Sequence, residues 1–303
     1  MPISDTTIEG LRLAVSFGLV SCAFAFAMAP LLIKFLYACN ITRRAEYDAT
    51  LSMGERKQKK GVPIMGGLLI IATVALITIL FNWERKFTWM PISLMLFSAA
   101  LGGVDDLLNI FGHERRTRKI RHILTLIRVH RDWNRRLWLF LTFPWSAFKR
   151  MSLWLGSHPG KGVHVHEKLI LQFLAGAGAA WWIYFKLAEH WREVWIPFDG
   201  SVNIGWWIIP LIIFFVMFTA NAVNVADGMD GLAGGSLLIT FSVLTIISWI
   251  QGLEAIALLN ATTAGALITY TYFNIKPARF QMGDVGSLGL GALLAINAIV
   301  MQK

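Results

Sequence analysis

Apolar residues along this chain gather into long runs separated by shorter polar stretches. The runs extend over about Leu13 to Tyr37, Ile64 to Phe81, Pro91 to Phe111, Leu169 to Leu187, Ile204 to Ala222, Leu232 to Ile250, Ala255 to Phe273 and Leu288 to Met301. Crossing the ~30 Å hydrocarbon core of a bilayer as a helix takes roughly 20 apolar residues, within a range of about 17 to 25. The pattern therefore predicts an all-α fold: a polytopic integral membrane bundle of about eight transmembrane helices. The first run is longer than the core of a signal peptide and has no small-residue cleavage site after it, so it is read as a retained span.

Basic residues sharpen this picture by giving it an orientation. The stretch from Asn40 to Val62 carries Arg43, Arg44, Arg56, Lys57, Lys59 and Lys60, and the stretch from Gly112 to Lys168 carries more; the alternate loops offer Arg85 and Lys86, then Lys186 and Arg192. Because Lys and Arg accumulate on the cytoplasmic side, the rich loops are expected inside and the N-terminus outside. Trp83, Trp89, Trp191 and Trp195 then fall at outer helix ends, where an aromatic belt belongs. Leu137 to Leu155 is nearly apolar enough for a ninth span, but Pro144, Lys149 and Arg150 interrupt it. A crossing there would also put Asp105 and Asp106 on the opposite side from the later acidic motifs. It is read instead as an interfacial segment, following the basic run Arg115 to Arg136, on the anionic inner leaflet. The expected organisation is one membrane domain over residues 1–303, with a basic cytoplasmic or interfacial insertion at about 113–161.

Composition agrees: 56% of residues are hydrophobic and 15% charged, which excludes an ordinary soluble domain. A net charge of +10 would suit nucleic acid, yet the charges sit between apolar runs, so membrane lipids are the expected partner and nucleic acid is not. Cys22 and Cys39, the only cysteines, supply neither a disulfide framework nor a thiolate metal site.

Chemistry enters with four polar, glycine-rich clusters: KKGVPIMGG (Lys59 to Gly67), GGVDDLLN (Gly102 to Asn109), NAVNVADGMDGLAGG (Asn221 to Gly235) and FNIKPARFQMGDVGSLGLG (Phe273 to Gly291). Each lies at a predicted inner helix end, so the four are expected to share one surface. Ionisable groups near bilayer depth cost roughly 2.5 to 3.5 kcal/mol each on insertion scales. Asp105, Asp106, Asp227, Asp230 and Asp284 therefore call for a compensating partner. Neighbouring carboxylates repel unless a cation intervenes, and oxygen donors with phosphate suit Mg2+ or Mn2+. The plainer alternative is that Asp227 and Asp284 cap helices while Asp105 and Asp106 are solvated at the interface. Gly228, Gly231, Gly283 and Gly286 flank the acids at predicted helix starts, where unobstructed N–H groups can approach a phosphate. Gly234, Gly235, Gly289 and Gly291 are read as sites of close helix packing.

These motifs resemble the polyprenyl-phosphate N-acetylhexosamine-1-phosphate transferases. The resemblance rests on Asp105-Asp106, on the NxxNxxDGxDGLA run from Asn221 to Ala233, and on the GDxGS run from Gly283 to Ser287. KKGVPIMGG and FNIKPARFQMGDVGSL are similar to the muramoyl-pentapeptide branch, and the likeness covers most of the chain outside about His113 to Lys161. It implies attack by the phosphate of undecaprenyl phosphate on the β-phosphate of UDP-MurNAc-pentapeptide, giving lipid I and UMP for peptidoglycan, with Mg2+ (or Mn2+) neutralising the pyrophosphate. It implies catalytic roles for Asp105, Asp106 and Asp284, and metal contacts from Asp284, Asp227 and Asp106. Lys59, Lys60 and Lys168 would meet substrate phosphates, and Asn221, Asn224, Asp227, Asp230, Asn274, Phe280 and Gly283 would line the substrate site, with Phe280 available to stack on uracil. The expected setting is a bacterial inner (plasma) membrane with a cytoplasmic site, and a homodimer is a candidate assembly.

Departures from the family pattern are Asn109 where a lysine is usual, Gln281 at an aromatic position, and Val62 and Ile64 in place of threonines. The family continues beyond the position of Lys303 through two helices and a histidine-rich loop, so a C-terminally truncated sequence is expected. His164 and His166 are read as solvated rather than as a substitute for that loop. Two other readings share the carboxylates: a transferase that loads N-acetylglucosamine-1-phosphate or a related sugar, and an ion-coupled transporter, whose acids usually lie at mid-membrane whereas these fall at helix ends on one side.

Overall fold

The computed structural model describes residues 5–42, 61–84, 87–111, 133, 163, 165–187, 193–196 and 200–301. Among these are eight α-helices: α1 (Asp5–Ala38), α2 (Gly67–Phe81), α3 (Trp89–Phe111), α4 (Val165–Lys186), α5 (Ile208–Ala226), α6 (Leu232–Ile250), α7 (Glu254–Asn274) and α8 (Gly283–Val300). They coincide with the eight apolar runs, as bilayer thickness requires. Apart from residue 133, the basic insertion at about 113–161, with its interfacial stretch 137–155, lies outside the described residues, as do Lys59, Lys60, His164, Arg85, Lys86, Trp191 and Arg192. His166, expected to be solvated, is instead 1% exposed, because the first turn of α4 is packed into the bundle.

Six helices, α1, α3, α4, α5, α6 and α8, are long and apolar enough to cross a membrane. The chain is a polytopic helical membrane protein. Helix α2 is apolar but has 15 residues, about 22 Å at 1.5 Å per residue. Helix α7 holds buried Asn260, Thr262, Thr263 and Thr269. Those groups are tolerated because α7 runs between α1, α2 and α6. The Thr262 and Thr263 hydroxyls bond back to the carbonyls of Leu258 and Leu259. The side chains of Asn260 and Asn297 on α8 join at 2.7 Å.

Helix α8 is the hub, packed against α3, α5 and α2. Its spanning stretch is 78% buried against 22% for that of α1. Small residues permit this. A Cβ on Gly291 would lie 2.5 Å from Ala220 Cα on α5, one on Gly286 2.7 Å from Gly67 Cα on α2, and one on Gly102 of α3 2.0 Å from Asp284 O. In lipid, where apolar surface alone does not drive association, such backbone proximity is a principal source of helix–helix attraction. The packing role expected of Gly289 and Gly291 is borne out, and Gly234 meets Tyr270 and Thr271 of α7, whereas Gly235 faces open space. Gly286, expected beside a phosphate, instead faces α2.

Two local features differ from the expectation. Helix α8 begins at Gly283 rather than Leu288, so the GDVGS motif forms its first turn. The polar start hides the helix from a hydropathy reading. Between α4 and α5 the chain also forms an antiparallel hairpin, β1 (Glu193–Ile196) with β2 (Gly200–Asn203), in the register Glu193↔Asn203 to Ile196↔Gly200. It lies at the helix ends opposite the acidic motifs, and a 3-10 turn with stacked Trp206 and Trp207 follows it.

Candidate active site

The polar clusters meet at one end of the bundle, because successive antiparallel helices bring alternate helix ends together. From α3 come Asp105 and Asp106, about one and a half turns from the helix end, 3% and 6% exposed. From the first turn of α4 comes Lys168, and from the first turn of α8 comes Asp284. The Lys168 ammonium lies 2.8 Å from Asp105 Oδ2 and is paired with Asp284 Oδ2 as well. Asp105 Oδ1 accepts the N–H of Val163 at 2.6 Å, which ties the chain just before α4 to α3. One ammonium thus bridges two carboxylates from separate helices and offsets the charge of one of them.

The other acids hold the start of α8. Asp106 Oδ2 accepts the N–H of Val285 at 3.1 Å, and Asp227, just past the end of α5, accepts the N–H of Gly283 at 3.1 Å. Free N–H groups at a helix N-terminus attract anions through the local dipole. Here the chain's own carboxylates fill that role, so Asp106 and Asp227 act as tertiary caps that orient Asp284. Gly283 takes a left-handed φ of +71°, and a Cβ there would sit 2.6 Å from Asp106 Oδ2. Only glycine fits this corner without strain.

The segment before α2 is stitched to the same corner. Gln281 N–H donates to Pro63 O at 2.9 Å, while Gly66 and Gly67 donate to Gln281 O and Met282 O at 2.7 and 2.9 Å. Met65 is held left-handed at φ 69° between them, a conformation uncommon outside glycine. The described part of the KKGVPIMGG cluster therefore forms the floor of the site.

The remaining residues divide into those that face the site and those that build it. Asn224 and Asp230 are half-buried at the end of α5 and in the loop after it. Asn221 donates to Gln172 Oε1 and to Met217 O, both at 2.7 Å. Asn274 is 2% exposed; its Oδ1 accepts the N–H of Gly231 at 2.8 Å and its Nδ2 donates to Phe280 O at 2.9 Å, fastening the 228–231 loop to the 280–283 loop. Phe280, expected to stack on a base, is fully buried, with Tyr270 and Phe273 ring centroids 5.4 and 6.1 Å away. Its side chain therefore packs inside the core instead of facing a nucleotide. Val163 was missed by motif reading, and Gln172, the last residue of the HEKLILQ stretch (His166 to Gln172) that is similar to the family's RxKLxxQ, was given no role. Gln172 had a signal, since it lies four residues after Lys168 and so on the same helix face.

Replacing Asn274 by alanine leaves the Gly231 N–H and the Phe280 carbonyl without these partners. At about 1–3 kcal/mol for each buried group left unsatisfied, equilibrium unfolding should show a loss of at least about 1 kcal/mol. An unchanged midpoint would remove the clamp role.

With this geometry in hand, comparison with known proteins is informative. The family model for "Glycosyl transferase family 4" matches residues 160–302, a segment that contains Lys168, Asn221 to Asp230, Asn274 and Asp284. A phospho-N-acetylmuramoyl-pentapeptide-transferase of Chloroflexus aurantiacus is 32% identical over 248 residues, covering 81% of this chain and 57% of the relative. Proteins of the same name from Streptococcus pneumoniae and Clostridium botulinum are 26% and 27% identical, covering 96% and 99% of this chain and 74% and 78% of their own lengths. The chain thus spans little more than half the length of the Chloroflexus relative. The motif resemblance is borne out: over residues 160–302 the chain matches glycosyl transferase family 4, and over most of its length it is similar to phospho-N-acetylmuramoyl-pentapeptide-transferases.

Proposed function

We propose that the chain transfers phospho-MurNAc-pentapeptide from UDP-MurNAc-pentapeptide to undecaprenyl phosphate, giving lipid I and UMP, at the cytoplasmic face of a bacterial plasma membrane. The observation that carries this reading is the pairing of Lys168 with Asp105 and Asp284 at one bundle end, with α8 anchored there by Asp106 and Asp227. A phosphate oxygen of the lipid attacks the β-phosphorus of the donor. The bond from that phosphorus to the bridging oxygen breaks, and UMP leaves with the electron pair. Since the attacking phosphate is already anionic near neutral pH, alignment and charge neutralisation matter more than proton removal. Lys168 supplies a mobile positive charge to the diphosphate, and Asp105 and Asp284 set its position. Asn224 and Asp230, half-buried beside this end of the bundle, are the residues the reading assigns to the nucleotide.

Mg2+ fits the donor set. It commonly takes one or two carboxylates and completes its shell with water and substrate phosphate. Among the described residues no group of three or more acidic, His or Cys side chains forms a ready-made cage. Asp105 and Asp284 already share a cation, and the family resemblance adds Asp106 and Asp227. When bound, the metal would offset the negative charge of the pyrophosphate.

For the lipid, α5 presents two apolar clefts. One of about 450 Å³ is lined by Phe214, Met217, Phe218, Asn221, Ala222 and Val225. The other, of about 410 Å³, shares Phe214 and Met217 and reaches Trp206. Together they follow α5 to the acidic end, a course suited to an isoprenoid tail entering from the bilayer.

The test supplies vesicles containing the chain and undecaprenyl phosphate with UDP-MurNAc-pentapeptide or UDP-N-acetylglucosamine in parallel. UMP release together with a lipid-linked product is expected only with the first donor. Release confined to the second would reassign the sugar, and solute uptake without any lipid-linked product would remove the transferase reading.

A further inference from the structure

Lys168 sits where two carboxylates from different helices converge in a largely dry place, with side-chain exposures of 19% for Lys168, 5% for Asp105 and 18% for Asp284. The carboxylates cannot easily separate. Asp105 is tied to the Val163 N–H, and the start of α8 that carries Asp284 is tied down through Gly283 to Asp227 and through Val285 to Asp106. Two carboxylates held this close repel unless a cation lies between them or one of them takes up a proton, and here the Lys168 ammonium is the group in place. The lysine is the mobile member of the group, a point charge on a flexible four-carbon stem.

We infer that Lys168 is a resident counter-ion. It holds the space between Asp105 and Asp284 in the substrate-free protein, competes there with a divalent cation, and transfers its ammonium to the diphosphate when cation and nucleotide bind together. This rests on the proposed transferase reading and adds to it an order of charge exchange within the site. Asp105 and Asp284, the carboxylates that face the ammonium, would also be donors to a dication, and two cations a few ångströms apart repel in a partly dry site. Metal alone must therefore displace the lysine without giving it a new partner. Metal with a diphosphate supplies that partner, so each ligand should strengthen binding of the other through Lys168.

The inference is tested by Mn2+ titration of the full chain in detergent, following free Mn2+ by electron paramagnetic resonance with and without UDP. Without UDP, Lys168→Met is expected to bind Mn2+ at least tenfold more tightly than the unsubstituted protein, and Lys168→Arg no more tightly than it. Addition of UDP should tighten Mn2+ binding by a larger factor in the unsubstituted protein than in Lys168→Met. Thermal unfolding checks that each variant is folded, and Lys168→Gln replaces the methionine variant if that does not purify. Equal or weaker Mn2+ affinity in Lys168→Met or Lys168→Gln overturns the counter-ion role while leaving the transferase reading intact. An equal UDP effect in the two proteins overturns the charge exchange. Failure of all the proteins to bind Mn2+ overturns both the inference and the metal-assisted reading.

Discussion

Replacing Asp284 by asparagine is expected to lower kcat for phosphosugar transfer by about 100- to 1000-fold, the usual scale for removing one preorganised electrostatic group. The change is nearly isosteric, so the start of α8 should keep its caps, since these use the main chain of residues 283 and 285 and not the Asp284 side chain. What is lost is one of the two negative charges that hold Lys168. Thermal unfolding should show a folded protein, which separates a catalytic loss from a structural one. Turnover within a few-fold of the parent, measured as UMP release, would mean that Asp284 is only a packing residue at a helix end. Asp105→Asn should act in the same direction, and because both residues share Lys168 the two effects should not add.

The second large effect is expected at a residue with no chemistry of its own. Gly102 lies on α3 one turn before the paired acids, and a Cβ there would come within 2.0 Å of Asp284 O and 2.3 Å of Asp284 C. Those atoms are backbone and cannot rotate away. Gly102→Ala must push α3 and α8 apart at the point where Asp105, Asp106 and Asp284 meet. Overpacking costs about 1–3 kcal/mol, and a displacement of about 1 Å between reacting groups can reduce turnover about 100-fold. Gly178→Ala on α4 is the control, since nothing lies within 4 Å of its Cβ. In a helix interior it should be neutral or stabilising by about 0.5–1 kcal/mol. If Gly102→Ala resembled Gly178→Ala in both activity and unfolding, the close α3–α8 contact would not be what sets the site.

The positions of the helices were legible in the chain because hydrocarbon thickness imposes a length that apolar runs display directly. Residues 232–250 were read to the residue, and α1, α3 and α7 to within a few residues except at the polar N-terminus of α1. Convergence of the acids was legible too. Their motifs fall at alternate helix ends, and alternate ends of antiparallel helices share one side. Lys168 came from the family resemblance, because HEKLILQ (His166 to Gln172) is similar to the family's RxKLxxQ at the start of a helix, and the chain does pair it with two of those acids.

Which acid does what was decided only by tertiary structure. Nothing in GGVDDLLN distinguishes Asp105, which meets Lys168, from Asp106, which caps α8; the difference is the roughly 100° turn between successive helix residues, set against the positions of α4 and α8. Phe280 looked available because it lies one place from the family's aromatic position, held here by Gln281, yet the loop folds it inward onto Tyr270 and Phe273. The early start of α8 left no mark in the apolar pattern, because glycine and aspartate carry no such signal even when Asp106 and Asp227 cap the turn they form; only the glycines flanking Asp284 pointed to a helix start there. Lateral neighbours were hidden for the same kind of reason. In lipid every helix face is apolar, so the choice of α8 as hub rests on how closely Gly102, Gly286 and Gly291 let backbones approach, a matter of shape that hydrophobicity does not record.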